Sequence, residues 1–593
     1  MRPQEYYHKR IEEISLLLKG FRQRRNQYTA VKIAAFLAAV AFIGWFSTNG
    51  MTGLLALFFV CVALFVFINI RETKLLRKIA FHEELRNGAT LEEEYLRGDY
   101  SRLDTGEEYK DPAHPYAHDL DIFGEDSVFQ AINRTTTRHG RERLREWLLA
   151  PLRDSEEILR RQEAVGELAA MPDWCHTFRA LGNYKQVSKL SPEAIKNSCR
   201  EKSRFAAWKI PFLYILPGLN ILGWVLYIAD VIPAAIPELL SLALLAITLS
   251  GVKQLNKAHE GVNSFIRSFS DLYELIRHFS SQTFQSARLR EIHDELFNQR
   301  HDANEALREL YRVQEGFDQR GNVLVTILLD ALFMRDLHLY LRLVRWQNKY
   351  ASCIPGWVDI VGELDTFVSM ANYRYNHPDF VTPELSDDTL LRGEEIGHPL
   401  LVSARCVTND FEVSHLHQFY IVTGANMAGK STFLRAVGVN LVLACCGSVV
   451  RASSFRFQPM RIFTSMRTVD NLAKGTSYFH AELLRLKQLV ETAQNEEKLF
   501  IILDEILKGT NSRDKLNGSR RFLQKLLSLP IAGLIATHDL ELGELADAFP
   551  RNYFNRCFEI THTDDDIAYD YKLKEGVSQN MNASILLEKM GLV

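Results

Sequence analysis

Between Tyr420 and Leu434 the chain reads YIVTGANMAGKSTFL. Gly424, Gly429, Lys430 and Ser431 fall on the spacing G-x-x-x-x-G-K-[ST]. Glycines let a backbone curl tightly, so that successive N–H groups face inward toward phosphate oxygens. A lysine in that place can reach β- and γ-phosphates, and the hydroxyl beside it can ligate Mg²⁺. An apolar β-rich run, residues 419–422, precedes the loop, and a helical pattern opens at Phe433. The spacing therefore predicts strand, loop and helix, with the positive end of the helix dipole at the loop. A chance match in a turn is the competing reading; the flanking strand and helix weigh against it.

Two further strand ends carry matching chemistry. Residues 499–503 read LFIIL, a buried-strand pattern, and end in Asp504-Glu505. An acidic pair at a strand's carboxyl end is where a Mg²⁺-ATPase needs it. Asp504 would hold the metal, directly or through water, and Glu505 would orient or activate the attacking water. The pair alone is a weak motif and gains its weight from the glycine loop upstream. A third strand, residues 531–536, ends in Thr537-His538. Alone, His538 would read as a satisfied structural histidine; beside the other two motifs, a sensor of the γ-phosphate is favoured.

The elements that must position these groups form an α/β nucleotide-binding domain from about residue 398 to the C-terminus, where short β-rich runs alternate with helices. At 593 residues the chain is too long for one domain. A net charge of −3 announces no global basic field. The eight cysteines include no C-x-x-C pair, which points to a reducing compartment without a disulfide framework or zinc site. Cys445 and Cys446 read as buried thiols on an apolar helix. His114 and His118 fall in a proline-containing loop and read as surface residues. His562 with residues 564–566 reads as an exposed turn between two C-terminal strands rather than a metal site.

Upstream, residues 1–30 read as a basic amphipathic helix ending in Arg22, Arg24 and Arg25. No cleavable signal is expected, because a long polar stretch comes before the first apolar run. Residues 31–70 hold two apolar runs, 33–46 and 54–70, split by Ser47-Thr48-Asn49-Gly50. They predict a transmembrane hairpin, or otherwise a buried helical one. Its outer flanks are basic, which places both on the cytoplasmic side. Residues 71–119 read as a linker helix followed by a loop. A helical domain spans 120–397, interrupted at 205–251 by a second apolar hairpin with basic flanks. Glu238 lies inside that block, and an intramembrane carboxylate is costly. It is expected near the far interface or on a tilted run, and a buried core hairpin stays open. Residues 254–347 read as amphipathic helices with heavily charged faces, which suggests levers or a coiled coil.

Four segments together carry a resemblance. They are GANMAGKST, DNLAKGTSYFHAEL (residues 470–483), LDEILKGTNSRD (503–514) and ATHDLEL (536–542). They resemble the ATPase domain of the MutS mismatch-repair proteins. Residues 120–154, 160–168 and 357–373 look like the start and end of that family's helical core. The resemblance covers most of residues 120–593 and implies a P-loop, MutS-like ATPase domain on an all-α lever domain. It implies ATP and Mg²⁺ as cofactors, held by Gly424, Asn426, Gly429, Lys430, Ser431, Thr432 and Tyr571. Ser431 and Asp504 would serve the metal, and Glu505 and His538 catalysis. Ser477 would act in trans on the γ-phosphate of the opposite subunit, which implies a homodimer.

The departures bear on the substrate. The family's mismatch-reading and connector domains have no counterpart before Leu120. Leu507-Lys508 stand where the family usually has Gly-Arg, and Lys515 where it has Gly. The expectation is a multi-pass membrane protein of a bacterial inner membrane, with its N-terminus and ATPase domain cytoplasmic. It would be an ATP-driven clamp on duplex DNA, related to mismatch repair but with little mismatch reading. The alternative is a nucleotide-gated tethering module acting on a protein or lipid partner without DNA. A transporter reading is weaker, because the short spans offer no clear substrate path.

Overall fold

The computed structural model describes residues 2–49, 52–184, 210–258, 269, 272–297, 302–318, 323–402, 405–467, 478–509, 511–562 and 567–579. Ser477, the opening of the second apolar block at 205–209 and the acid run 564–566 lie outside the described residues.

The chain opens with two long helices, α1 (Pro3–Asn49) and α2 (Thr52–Leu96). They run antiparallel; Lys32 pairs with Glu72, and Arg22 with Glu83 at 2.7 Å. The basic stretch and the apolar stretch form one helix, with no break at residue 30 and no proline beyond the first turn. Their lower part is buried: Ile14, Leu18, Leu75, Ile79 and Leu85 pack together with Ala180. Their upper part exposes Ile33, Phe36, Leu37, Val40, Phe59 and Val60.

The helical core follows, with α3 (Val128–Ile132), α4 (Arg138–Leu149), α5 (Ser155–Ala169) and α6 (Pro172–Tyr184). Next come α7 (Ile210–Ile228) and α8 (Ala235–Ala258), the second apolar pair. Glu238 stands in the first turn of α8, at the hairpin's bend rather than within its run. The helices α1, α2 and α7 are each long and apolar enough to cross a membrane; α8 carries a shorter apolar stretch, Ala235–Gly251.

Four more helices bring the chain back: α9 (Ala287–Phe297), α10 (Ala303–Asp318), α11 (Val323–Phe333) and α12 (Arg335–Tyr350). Trp346 Nε1 donates to Ala306 O at 2.6 Å and Arg335 Nη2 to Gly316 O at 2.8 Å, so α10 and α12 lie antiparallel. The apolar α11 sits at their far end.

The central helix is α13 (Ile354–Asn376), buried almost throughout from Val361 to Tyr373. Its Asp365 carboxylate accepts from the backbone N–H groups of Thr136 and Thr137 at 2.9 and 2.7 Å, and from both hydroxyls. A buried carboxylate needs such partners. This one fastens the turn before α4 to α13.

The C-terminal part contains β1 (Glu384–Leu385), β2 (Leu391–Ile396), β3 (Asn409–Val413), β4 (Phe419–Gly424), α14 (Lys430–Cys445), β5 (Ser454–Phe457) and β6 (Arg461–Ser465). It continues with α15 (Tyr478–Gln494), β7 (Leu499–Asp504), α16 (Ser512–Leu526), β8 (Ile531–Thr537), β9 (Tyr553–His562) and β10 (Ile567–Glu575). A small sheet has the order β1-β5-β2-β3, and a larger one β10-β9-β4-β8-β7-β6. In the larger sheet every pairing is parallel except β9 with β10. Strands β4 and β8 are buried along their whole length, as continuous apolar runs in a sheet covered on both faces require. Cys445 and Cys446 are fully buried in the helix layer, and burial pushes both thiols up to about 12.

The two halves share contacts. Asp119, just before the helical core, accepts from Thr464 Oγ1 at 2.6 Å and from the N–H groups of Met466 and Arg467. This fixes the end of β6.

Candidate functional site

In an open α/β sheet, ligands bind outside the carboxyl ends of the strands, where the strand order reverses. Here that place is β4. The chain leaves it toward the β6 edge, returns through β7 and β8, and continues to β9 on its other side. The registers Thr423↔Thr537 and Asp504↔Ala536 set the ends of β4, β8 and β7 side by side.

The glycine loop joins β4 to α14. Gly424 has φ +150°, and a Cβ there would stand 2.7 Å from Phe558 O. Gly429 has φ +104° and caps α14; a Cβ there would stand 3.0 Å from Tyr571 Cδ1. Both glycines are thus demanded by backbone and space. Met427 is also left-handed, at φ +66°. Lys430 is buried, and its Nζ donates to Gly424 O at 2.7 Å and to Ala425 O at 2.8 Å. Desolvation draws this lysine down to about 8, against the opposing charges of Asp504 and Glu505. Ser431 Oγ donates to Asp504 Oδ2 at 2.7 Å.

Beyond β7 the backbone turns sharply. Glu505 has φ +52° and Leu507 φ +60°. A residue with a Cβ in that region is strained by roughly 1–2 kcal/mol, and such strain concentrates at functional sites. Leu507 is held there by burial in the cluster around β7 and β8. Glu505 N donates to Ala536 O at 2.9 Å. Its carboxylate lies 3.4 Å from His538 Nε2 and 3.9 Å from Lys508 Nζ. Desolvation lowers the pKa of His538, and the nearby Lys430 charge adds to this.

These groups line one cavity of about 790 Å³. It brings together Ala425–Thr432, Asp504, Glu505, His538 and Tyr571; of the other residues singled out from the sequence, Gly424 ends β4 just before this lining and Ser477 lies outside the described residues. Tyr571, at φ +53° in an irregular stretch of β10, flanks the loop. Sequence reasoning missed His398, Arg405, Val407 and Asn409, which line the same cavity. A histidine before Pro399 was the one local signal, and it is a weak one. Burial pushes His398 down to about 4, so it is neutral at pH 7. The departures at 508 and 515 land at the same edge: Lys515 Nζ pairs with Asp539 at 3.1 Å.

His114 is not a surface residue. Its ring is half-buried; Nδ1 accepts from the N–H of Ala117, and Nε2 lies 3.2 Å from Leu149 O. The adjoining prolines fold the loop back onto the core, and burial pushes this histidine down to about 4.

Comparison with known proteins gives the lineage. A family model described as MutS domain III matches residues 117–371, and one described as MutS domain V matches residues 420–588. The chain is 28% identical to the DNA mismatch repair protein MutS of Aquifex pyrophilus over 496 residues, 76% of this chain and 56% of that protein. It is 24% identical to the protein of that name from Persephonella marina, over 82% of this chain and 58% of the relative. It is 32% identical to human MutS protein homolog 4 over 245 residues, 40% of this chain and 25% of that one. The chain thus spans between a quarter and three-fifths of the length of these relatives. With two family models on its two halves and MutS-named relatives aligned across most of its length, the chain belongs to the MutS family.

Proposed function

We propose that this chain is a membrane-anchored, homodimeric Mg²⁺-ATPase of MutS type that closes on duplex DNA. One observation carries the reading: the 2.7 Å bond between Ser431 and Asp504, with the buried Lys430 behind it and Glu505 and His538 beside it.

The residues fit ATP and Mg²⁺. The loop keeps glycine where a Cβ would collide. An ammonium carries three donors, and Lys430 uses two on loop carbonyls, leaving one for an anion. Ser431 and Asp504 offer the hard oxygens that Mg²⁺ prefers. When bound, Mg²⁺ would neutralise charge developing on the phosphates. The loop N–H groups and Lys430 hold the phosphates, with Asn426 and Thr432 at the mouth and Tyr571 beside the nucleotide. Glu505 accepts a proton from water or orients it, and His538 steadies Glu505 and senses the terminal phosphate. Ser477 serves the partner subunit's nucleotide, so turnover needs the dimer.

Duplex DNA follows from the MutS relatives, two of which are named for DNA mismatch repair. Contact is to the backbone, so binding is salt-sensitive with little mismatch preference. The exposed apolar parts of α1, α2 and α7 support the anchor. The test is turnover of the detergent-purified protein with and without duplex, with Glu505→Gln as the blank. Duplex-stimulated turnover, weakened by salt and absent in the blank, is the expected result.

A second reading draws on one feature. The start of α12 sits directly on the second apolar pair: His338 Nε2 lies 3.0 Å from Leu213 O, and Leu337 packs against Gly251. Lever motion then works on the membrane segment or a protein partner, as a nucleotide-gated tethering module. Failure to bind duplex even at low salt would select it.

A further inference from the structure

The charged, lever-like region contains one helix that does not match it. The sequence of α11 is VLVTILLDALF, apolar but for Thr326 and Asp330. It exposes Ile327 at 43%, Leu328 at 58% and Phe333 at 42%. Asp330 is buried, and its Oδ1 accepts from Asp336 N at 2.9 Å across the left-handed corner at Met334. Its carboxylate is therefore spent on the corner rather than shown to solvent.

This helix is fastened to the second apolar pair from inside. Asn220, fully buried in mid-α7, donates from Nδ2 to Ala331 O at 3.1 Å. Its Oδ1 accepts from Ser241 Oγ on α8 at 3.0 Å, and Trp224 Nε1 donates to the same hydroxyl. A closed polar cluster among apolar helices is how segments associate where no water competes. Below it, Leu213, Leu244, Met334, Leu337 and Leu341 form one small core.

We infer that α11 is embedded in the lipid bilayer together with α7 and α8, so that the tip of the α10–α12 pair sits among acyl chains. This rests on the membrane reading of α7. The occupant of the exposed face is argued from continuity. Asn220 lies mid-way along a helix long enough to span, and Ala331 is bonded at that depth. On either side α7 and α8 turn out Leu219, Leu222, Leu239 and Leu242, each at least half exposed. Eleven residues rise about 16 Å, roughly half of a 30 Å hydrocarbon core. The helix cannot cross and enters as a half-span backed by its neighbours. Irregular chain at that depth is tolerated only against protein, which α7 and α8 provide.

The test is photocrosslinking of the full chain in liposomes of anionic and zwitterionic phospholipid. A benzophenone amino acid is placed at Leu328, at Leu239 on α8, or at Leu159, an exposed leucine of α5 in the helical core. Lipid adducts at 328 and 239 in similar yield, and none at 159, are expected. Adducts at 239 without any at 328 overturn the embedding of α11 and leave the anchor intact. No adduct at either position overturns both. Crosslinks from 328 to protein alone overturn it in favour of a protein-covered tip.

Discussion

At the scale of single residues the site is a set of short-range demands. Glu505 sits in a strained backbone, its N–H bonded to β8 and its carboxylate facing His538, and the role proposed for it is to act on water. Glu505→Gln should leave nucleotide binding in place and lower turnover about 10²–10⁴-fold, as loss of a general base does; equilibrium binding and single-turnover assays separate the two. Gly424→Ala should do the opposite. Its Cβ meets the Phe558 carbonyl at 2.7 Å, so β4 must shift from β9 and the melting temperature should fall together with binding. That the glycines, Lys430, Ser431, Asp504 and Glu505 gather at adjacent strand ends was legible because each motif is contiguous and follows an apolar run. His398 and Asn409 were not. They reach the cavity from just beyond β2 and from the start of β3, and apart from the weak signal of Pro399 beside His398 nothing in their neighbours announces it.

At the scale of elements, one buried carboxylate ties α2 to the core. Glu92 is fully buried, with Arg134 Nε at 2.8 Å, Arg179 Nη1 at 2.7 Å and Asn376 Nδ2 at 2.8 Å. Tyr7 of α1 completes the cluster through Asn376. Burial alone would raise this carboxyl; the two guanidinium charges and their hydrogen bonds outweigh it and hold Glu92 at about 2, below its ordinary 4.5. The folded pKa is depressed, so the stability Glu92 contributes is complete above about pH 4.5 and is lost as pH falls toward 2. Glu92→Gln leaves two buried cations short of a counter-charge and should cost about 3–5 kcal/mol. Denaturant titration of the full chain measures this, and the variant should lose part of the acid sensitivity between pH 4.5 and 2. No sequence pattern showed this cluster, since its members come from α1, α2, α6, α13 and the turn before α4. The strands β4, β7 and β8 were readable as unbroken apolar runs. The helix α11 was passed over because eleven residues are too few for a span and charged helices flank it.

At the scale of the whole molecule, the α/β half and the helical half are joined by Asp119 and by Arg485, whose guanidinium donates to Thr464 O and Pro115 O. If Ser477 completes the partner's site, turnover per chain should rise with protein concentration and level off once dimers fill; a flat dependence across a dilution series would count against the composite site. The placement of both apolar pairs could be read from composition. Their continuity with the core could not, because a change from polar to apolar residues looks like a boundary even when the helix ignores it. Each of α1 and α2 runs from its exposed apolar part into the packed lower part without a joint. A bar with no hinge passes on angle as well as position. Helices in lipid adjust to hydrophobic mismatch by tilting, and if α1 and α2 cross a bilayer as proposed, a tilt at one end must swing the helical core at the other. In short-chain and long-chain liposomes the anchored enzyme should therefore turn over at different rates, with detergent abolishing the difference. On the membrane reading, the hairpin would then gauge bilayer thickness for the domains it holds.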